Sequence, residues 1–208
     1  MASATHPLWR GTTPLVLASK SAARRALLEA AQLPVETLAV DVEERALEAE
    51  AVLRGAAPAE VAAVLARAKA LAGSALCPGQ LVIGADQTLA LGEEAFHKPA
   101  DRAGARDQIA RLAGHTHALH SAIALARDGV VLFETVETAR LTMRPLDANT
   151  LDAYLDAAGE AVTSSVGGYQ LENLGIHLFE RIEGDHAVIL GLPLLALLAF
   201  LRRHGDLT

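Results

Sequence analysis

The stretch Ser19-Lys-Ser-Ala-Ala-Arg-Arg25 follows a short apolar run, Pro14-Leu-Val-Leu-Ala18, and opens a helical pattern from Ala22 to Ala31. A strand–turn–helix junction of this kind leaves backbone N–H groups free at the positive end of a helix dipole, which suits a phosphate. Ser21 is a natural N-cap, and Arg24 and Arg25 lie three and four residues beyond it. One or both guanidiniums can therefore face an anion from the Ser21 side of the helix. Read locally, the same residues make a capped helix with two solvated arginines, the commoner use of such a pattern.

Asp86 closes a second apolar run, Leu81-Val-Ile-Gly-Ala85, and so falls at the carboxyl end of a buried strand. Open α/β sheets place ligands there, and a carboxylate in that position can hold a divalent cation or take a proton from water. A turn or helix-capping aspartate is the alternative. Glu44 ends the acidic segment Asp41-Val-Glu-Glu44, after a strand over Val35 to Val40, and is the natural second carboxylate unless it is a solvated loop charge. Pro58 opens a helix to about Ala72, on which Lys69 shares a face with Leu65 and Ala62. Its ammonium either reaches along that apolar surface into a cleft or snorkels to solvent. Lys98 is pinned by Pro99 and within reach of a phosphate, or is a plain loop lysine. Gly167-Gly-Tyr-Gln-Leu-Glu-Asn173 joins backbone freedom to amides and a carboxylate, which suits either a base-reading loop or a polar hairpin. On a strand, His115 and His117 share a face while His120 points away, and no acid stands nearby, so a zinc site is not expected. A phosphate cradle, two acids for a metal and two lysines together fit metal-assisted attack on a polyphosphate.

The remaining pattern supplies the scaffold. Asp101 caps a helix to Leu112 that Gly114 ends, and Asp147 caps another through Ala158. Ala118–Ala126 and Val130–Met143 flank Asp128-Gly129, a hairpin turn, and Ile176 to Ile182 reads as a strand. Pro193 opens a final helix with Arg202, Arg203 and His204 in its last turn. Strands and helices alternate early and hairpins dominate later, so the expected class is mixed α/β. No repeat or linker divides the chain, which reads as one domain over 1–208 with residues 1–13 as an N-terminal extension.

Composition narrows the partners. A hydrophobic fraction of 51% with 21% charged residues supports a sizeable core. The net charge of −7 excludes a generic nucleic-acid coat, and 3% aromatic residues exclude a base-stacking platform. The single Cys77 can form neither an internal disulfide nor a cysteine zinc site. The longest apolar stretch, Gly191 to Leu201, falls short of the roughly 20 residues of a membrane span, and the N-terminus does not read as a signal peptide. A reducing, cytoplasmic location is the expectation.

With these residues in view, the chain resembles the Maf family of nucleoside triphosphate pyrophosphatases from about Pro14 to Arg203. Leu17-Ala-Ser-Lys-Ser-Ala-Ala-Arg-Arg-Ala-Leu-Leu28 is similar to the family opening, Leu-Ala-Ser-x-Ser-Pro-Arg-Arg-x-x-Leu-Leu. Leu65-Ala-Arg-Ala-Lys-Ala70, Gly84-Ala-Asp86, Lys98-Pro99, Leu112-Ala-Gly-His115 (with His117 at the family histidine) and Gly191-Leu-Pro-Leu194 follow in the family order. The resemblance implies a Maf/ITPase-like fold, an elongated mixed sheet in two lobes with flanking helices and the active-site cleft between them, often as a homodimer. It implies hydrolysis of a nucleoside triphosphate to the monophosphate and pyrophosphate with Mg²⁺ or Mn²⁺, in nucleotide-pool surveillance. By position, Asp86 would be the proton acceptor and a metal ligand with Glu44. Ser19, Ser21, Arg24, Arg25, Lys69 and Lys98 would hold the substrate.

Substrate choice would fall to Ala23, Gln87 and Glu172. The pair Asp86-Gln87, the late Glu172 and Leu178-Phe-Glu-Arg-Ile-Glu-Gly184 resemble the 7-methyl-GTP branch of the family rather than the dTTP/UTP branch. Ala23 stands where those branches carry Trp and Arg, His97 replaces the family glycine before Lys-Pro, and Ser165 stands where one branch has lysine. The rival expectations are a low-turnover nucleotide-binding regulator of cell division and a dTTP/UTP-type pyrophosphatase.

Overall fold

The computed structural model describes residues 7–208. In chain order the elements are β1 (Leu15–Ala18), α1 (Ala22–Ala30), β2 (Val35–Thr37), α2 (Glu44–Leu53), α3 (Pro58–Leu76), β3 (Val82–Leu91) and β4 (Glu94–Phe96). There follow α4 (Arg102–Leu112), β5 (Thr116–Arg127), β6 (Val130–Met143), α5 (Ala148–Ala158), β7 (Phe179–Glu183), α6 (His186–Ile189) and α7 (Leu194–His204). Short 3-10 turns cover Gly159–Thr163, Val166–Gly168 and Leu174–Leu178.

The fold is α/β, with a mixed seven-stranded sheet in the order β2-β1-β3-β5-β6-β7 and β4 beside β3. β1 pairs in parallel with β2 and β3, as helical crossovers require, whereas β3, β5, β6 and β7 run antiparallel. The expected change from alternating elements to hairpins is therefore the change from the parallel to the antiparallel half. Asp128 and Gly129 join β5 to β6 with φ of 51° and 78°, the left-handed pair that a two-residue hairpin demands. Near the N-terminus, Arg10 N–H donates to Asp206 O at 2.8 Å and Thr208 N–H to Leu8 O at 2.9 Å, tying part of the expected extension to the C-terminus. Its first six residues lie outside the described chain.

Alternation along β1 and β3 sorts side chains onto two faces. Leu15, Leu17, Ile83 and Ala85 pack with Leu28 of α1 and Leu197 and Leu201 of α7. The opposite face carries Ala122, Ala124 and Ala126 of β5 against Ala62, Ala66 and Ala70 of α3. Small residues on both partners let α3 lie close to the sheet, and Gly84 sets the limit. A Cβ there would stand 2.1 Å from Ala66 O and 2.4 Å from Ala70 N, both backbone atoms that cannot yield cheaply. Gly84→Ala is expected to cost about 1–3 kcal/mol by overpacking. Urea denaturation checks this, and an unchanged midpoint would mean that α3 shifts freely.

Several sequence expectations need correction. Asp86 lies in the middle of β3 rather than at a strand end, because β5 pairs with β3 from Val82 to Ala90 and carries it on. The strand expected to Val40 stops at Thr37, since β2 has only the four-residue β1 as a neighbour. The acidic segment leads not into a loop but into α2, whose first residue is Glu44, a carboxylate suited to a helix N-terminus. The helix opened by Pro58 runs on to Leu76. The strand expected over Ile176–Ile182 is half 3-10 turn, and β7 begins only at Phe179.

His117 of β5 is fully buried, and its Nε2 lies 2.6 Å from the Tyr169 hydroxyl. Burial holds its pKa down to about 4, while an unfolded chain titrates it near 6.5. Between those values only the unfolded state binds the proton, so stability falls as pH drops from about 6.5 toward 4, by about 3 kcal/mol. His117→Phe should be less stable at neutral pH but lose less on acidification, which urea midpoints at neutral pH and about pH 4.5 will compare. Equal acid sensitivity in both proteins would place the effect elsewhere.

Candidate active site

The pairing pattern of β3 creates the site. One edge is paired with β5 along nearly its whole length. The other edge pairs with β1 at Val82–Gly84 and with β4 at Leu89–Leu91. The Ala85–Thr88 edge lies open between these two neighbours, and a cavity of about 1140 Å³ occupies the gap.

Asp86 points to the same face as Gly84, toward α3, and meets Lys69 there. Lys69 Nζ donates to Asp86 Oδ1 at 2.6 Å and to Glu44 Oε2 at 2.9 Å. The Lys69 and Asp86 side chains are only 11% and 12% exposed, whereas that of Glu44 is 51% exposed. Breaking a buried pair by removing one partner is costly, so Lys69 and Asp86 hold each other, and the same ammonium draws the half-exposed Glu44 toward that point. Of the two directions open to Lys69, the fold turns the ammonium inward onto the carboxylates rather than out to solvent.

At the cavity's other wall, Ser21 caps α1 by accepting from Arg24 N–H at 3.3 Å, and Ser19 Oγ accepts from Ser21 N–H at 3.2 Å. The two arginines part company. Arg24 is buried and its Nε donates to Gly191 O at 2.9 Å, while Nη1 donates to Ala85 O at 2.8 Å and Ser19 Oγ at 3.2 Å. Burial pushes its pKa down, opposed by the negative charges of Asp86 and Glu44. Arg24 thus clasps β3, the serine turn and the loop before α7 together. Gly191 makes room for it: its φ is +94°, and a Cβ would stand 3.1 Å from Arg24 Nε. Arg25 does not reach the cavity. It turns outward and pairs with Glu29 at 2.6 Å, about one step of 100° around the helix from Arg24.

Gln87 faces the opposite side of the sheet from Asp86. Its Nε2 lies 2.9 Å from Ser121 Oγ, 3.1 Å from Val188 O and 3.0 Å from Ile189 O, anchoring α6 to β3. Lys98, Ala23, Ser165 and Glu172 also line the cavity, with Lys98 and Glu172 exposed on its rim. Tyr169, which lines the cavity beside them, packs edge-on against Phe179 and is held by His117. His115 is exposed and His120 is bonded to Thr138, so the three histidines do not converge. Among the described residues no group of three or more His, Cys, Asp or Glu gathers to hold a metal. Sequence reading missed the Arg24–Gly191 clasp and the His117–Tyr169 pair. Their partners lie 167 and 52 residues away, beyond any local signal.

The sequence pattern of the Maf-like proteins matches residues 14–204, and the chain belongs to that family. It is 59% identical over 195 residues to the nucleoside triphosphate pyrophosphatase of Bradyrhizobium diazoefficiens, covering 94% of this chain and 96% of that one. A protein of the same name from Rhodopseudomonas palustris is 57% identical, with the same coverage. The 7-methyl-GTP pyrophosphatase of Brucella abortus is 52% identical over 192 residues, which is 92% of this chain and 96% of that one.

Proposed function

We propose that this chain hydrolyses a nucleoside triphosphate to the monophosphate and pyrophosphate, with 7-methyl-GTP as the favoured substrate. The observation that carries the reading is the convergence of Asp86, Glu44 and Lys69 in the cavity that also holds the serine turn and Lys98. The names of the Bradyrhizobium and Rhodopseudomonas relatives support the reaction class, and that of the Brucella relative supports the substrate.

The α1 N-terminus, Ser19, Ser21 and Lys98 bind the phosphates. Asp86 takes a proton from the attacking water as the α–β phosphoanhydride bond breaks, and Lys69, which holds that carboxylate in place before nucleotide arrives, stands where it can meet the phosphates. Glu172 accepts hydrogen bonds from the guanine N1–H and amino group, while Ala23 leaves space beside the base. Gln87 acts on specificity by fixing the α6 wall.

A divalent cation fits the donor set: two carboxylates aimed at one point where a positive charge already sits, with oxygen ligands only, suit a hard ion that takes its other ligands from phosphate and water. Asp86 and Glu44 would hold Mg²⁺ or Mn²⁺, which when bound supplies charge neutralisation on the phosphates.

On this reading residues 1–208 form one domain of two lobes with the cleft between them. One lobe would be built on the Leu17–Leu28–Leu201 core and the other on the Ile109–Leu141–Leu155 core. A cytoplasmic homodimer completes the proposal. No helix among the described residues is long and apolar enough to cross a membrane. Product analysis on a panel of nucleoside triphosphates, with and without Mg²⁺ or Mn²⁺, tests the reaction. Pyrophosphate release supports it, and orthophosphate release or no turnover overturns it.

A further inference from the structure

We propose that Lys69 and a divalent cation compete for the Asp86–Glu44 carboxylates, so that the cation binds there only with a polyphosphate that accepts the lysine ammonium. The proposal rests on the reading above that these carboxylates hold the cation.

Two observations lead to it. The first is steric. Lys69 Nζ stands 2.6 Å from Asp86 Oδ1 and 2.9 Å from Glu44 Oε2. A Mg²⁺ or Mn²⁺ bound by the same two oxygens sits about 2.1 Å from each, inside the space of that ammonium. Both cannot occupy the point together. Lys69 also has little freedom to leave for solvent, because its side chain is only 11% exposed and its helix is pressed on the sheet at Gly84.

The second is electrostatic. Arg24 is buried and feels the charges of both Asp86 and Glu44. Two carboxylates face two cations, so the cluster is near neutrality before any dication arrives. A hard ion meeting a neutralised pair gains little for the water it gives up. A polyphosphate alters both conditions at once. It brings several negative charges into the same cavity, and it offers oxygens to an ammonium that has three donors but only two carboxylate partners here. Lys69 then passes from carboxylate to phosphate without leaving the cavity.

The probe is Mn²⁺ alone, followed by the paramagnetic resonance of the free ion, on wild type, Asp86→Asn, Lys69→Met, Lys69→Gln and Lys69→Met/Asp86→Asn. Without nucleotide, wild type should bind no better than Asp86→Asn, while Lys69→Met and Lys69→Gln should bind at least about tenfold more tightly than wild type. The double variant should lose that gain. Thermal melts give a second readout: Mn²⁺ should raise the midpoint of Lys69→Met but not of wild type. An α,β-methylene nucleoside triphosphate should restore Asp86-dependent Mn²⁺ binding to wild type.

Tight, Asp86-dependent binding of Mn²⁺ to nucleotide-free wild type overturns the proposal, and this arm needs no lysine variant to fold. Folded lysine variants that gain no affinity overturn it as well. Failure of the underlying reading looks different: no Asp86-dependent Mn²⁺ binding in any protein even with the analogue, or pyrophosphate release that needs no metal.

Discussion

Asp86→Asn is expected to lower kcat by at least about 10²-fold while the protein stays folded. The side chain lies on the open stretch of β3, nearly buried, with one oxygen on Lys69 at 2.6 Å. An amide cannot take a proton from water and is a poor ligand for a hard cation, so both candidate roles fail together. Lys69 keeps Glu44 at 2.9 Å in the variant, which limits the stability loss that an unpaired buried ammonium would cause. Glu44→Gln is the useful comparison. Its carboxylate is half exposed and sits on α2 rather than on the sheet, so its loss should reduce turnover less. Initial rates of pyrophosphate release at saturating nucleotide, beside thermal melts, decide the matter. Near wild-type turnover by folded Asp86→Asn would assign the proton acceptor to another group.

Glu172→Gln should change selectivity rather than abolish activity. Glu172 stands on the cavity rim, in the turn between the Gly167-Gly168 pair and β7. If it accepts the guanine N1–H and amino group, the amide loses two charge-assisted hydrogen bonds and presents a donor to a donor. Such losses cost roughly 1–3 kcal/mol, about 5- to 150-fold in kcat/KM. A 7-methyl group places positive charge on the base, so 7-methyl-GTP should suffer most. UTP and dTTP offer one ring N–H between two carbonyls and not the adjacent pair of donors, so their turnover should hold steady or rise. Measuring kcat/KM for 7-methyl-GTP, GTP, UTP and dTTP in both proteins tests this. An equal fall for all four would give Glu172 a structural role and remove the main support for a guanine substrate.

Much of the scaffold was legible because its signals are local. Ser21, Asp101 and Asp147 each cap the helix expected of them, accepting from the N–H three residues on. Asp128-Gly129 turns the hairpin because its conformation depends on two residues alone. Elements that depend on distant neighbours were misread: β3 outruns its apolar segment because β5 pairs with it, and β2 stops short because β1 does.

The site divides along the same line. Residue types and order put Asp86, Glu44, Lys69 and the serine turn forward as candidates, each with a plain structural alternative, and the family resemblance joined them into one proposed site. Which groups meet was decided by packing. Gly84 and the alanines of α3 set the approach that brings Lys69 between two acids 17 and 25 residues away in the chain. The same packing separates two adjacent arginines, leading Arg24 to Gly191 and leaving Arg25 to Glu29 in solvent. Spacing along a helix states which directions a side chain can take. Only the neighbouring backbone, here the carbonyls of Ala85 and Gly191, determines whether that direction ends in a bond or in water.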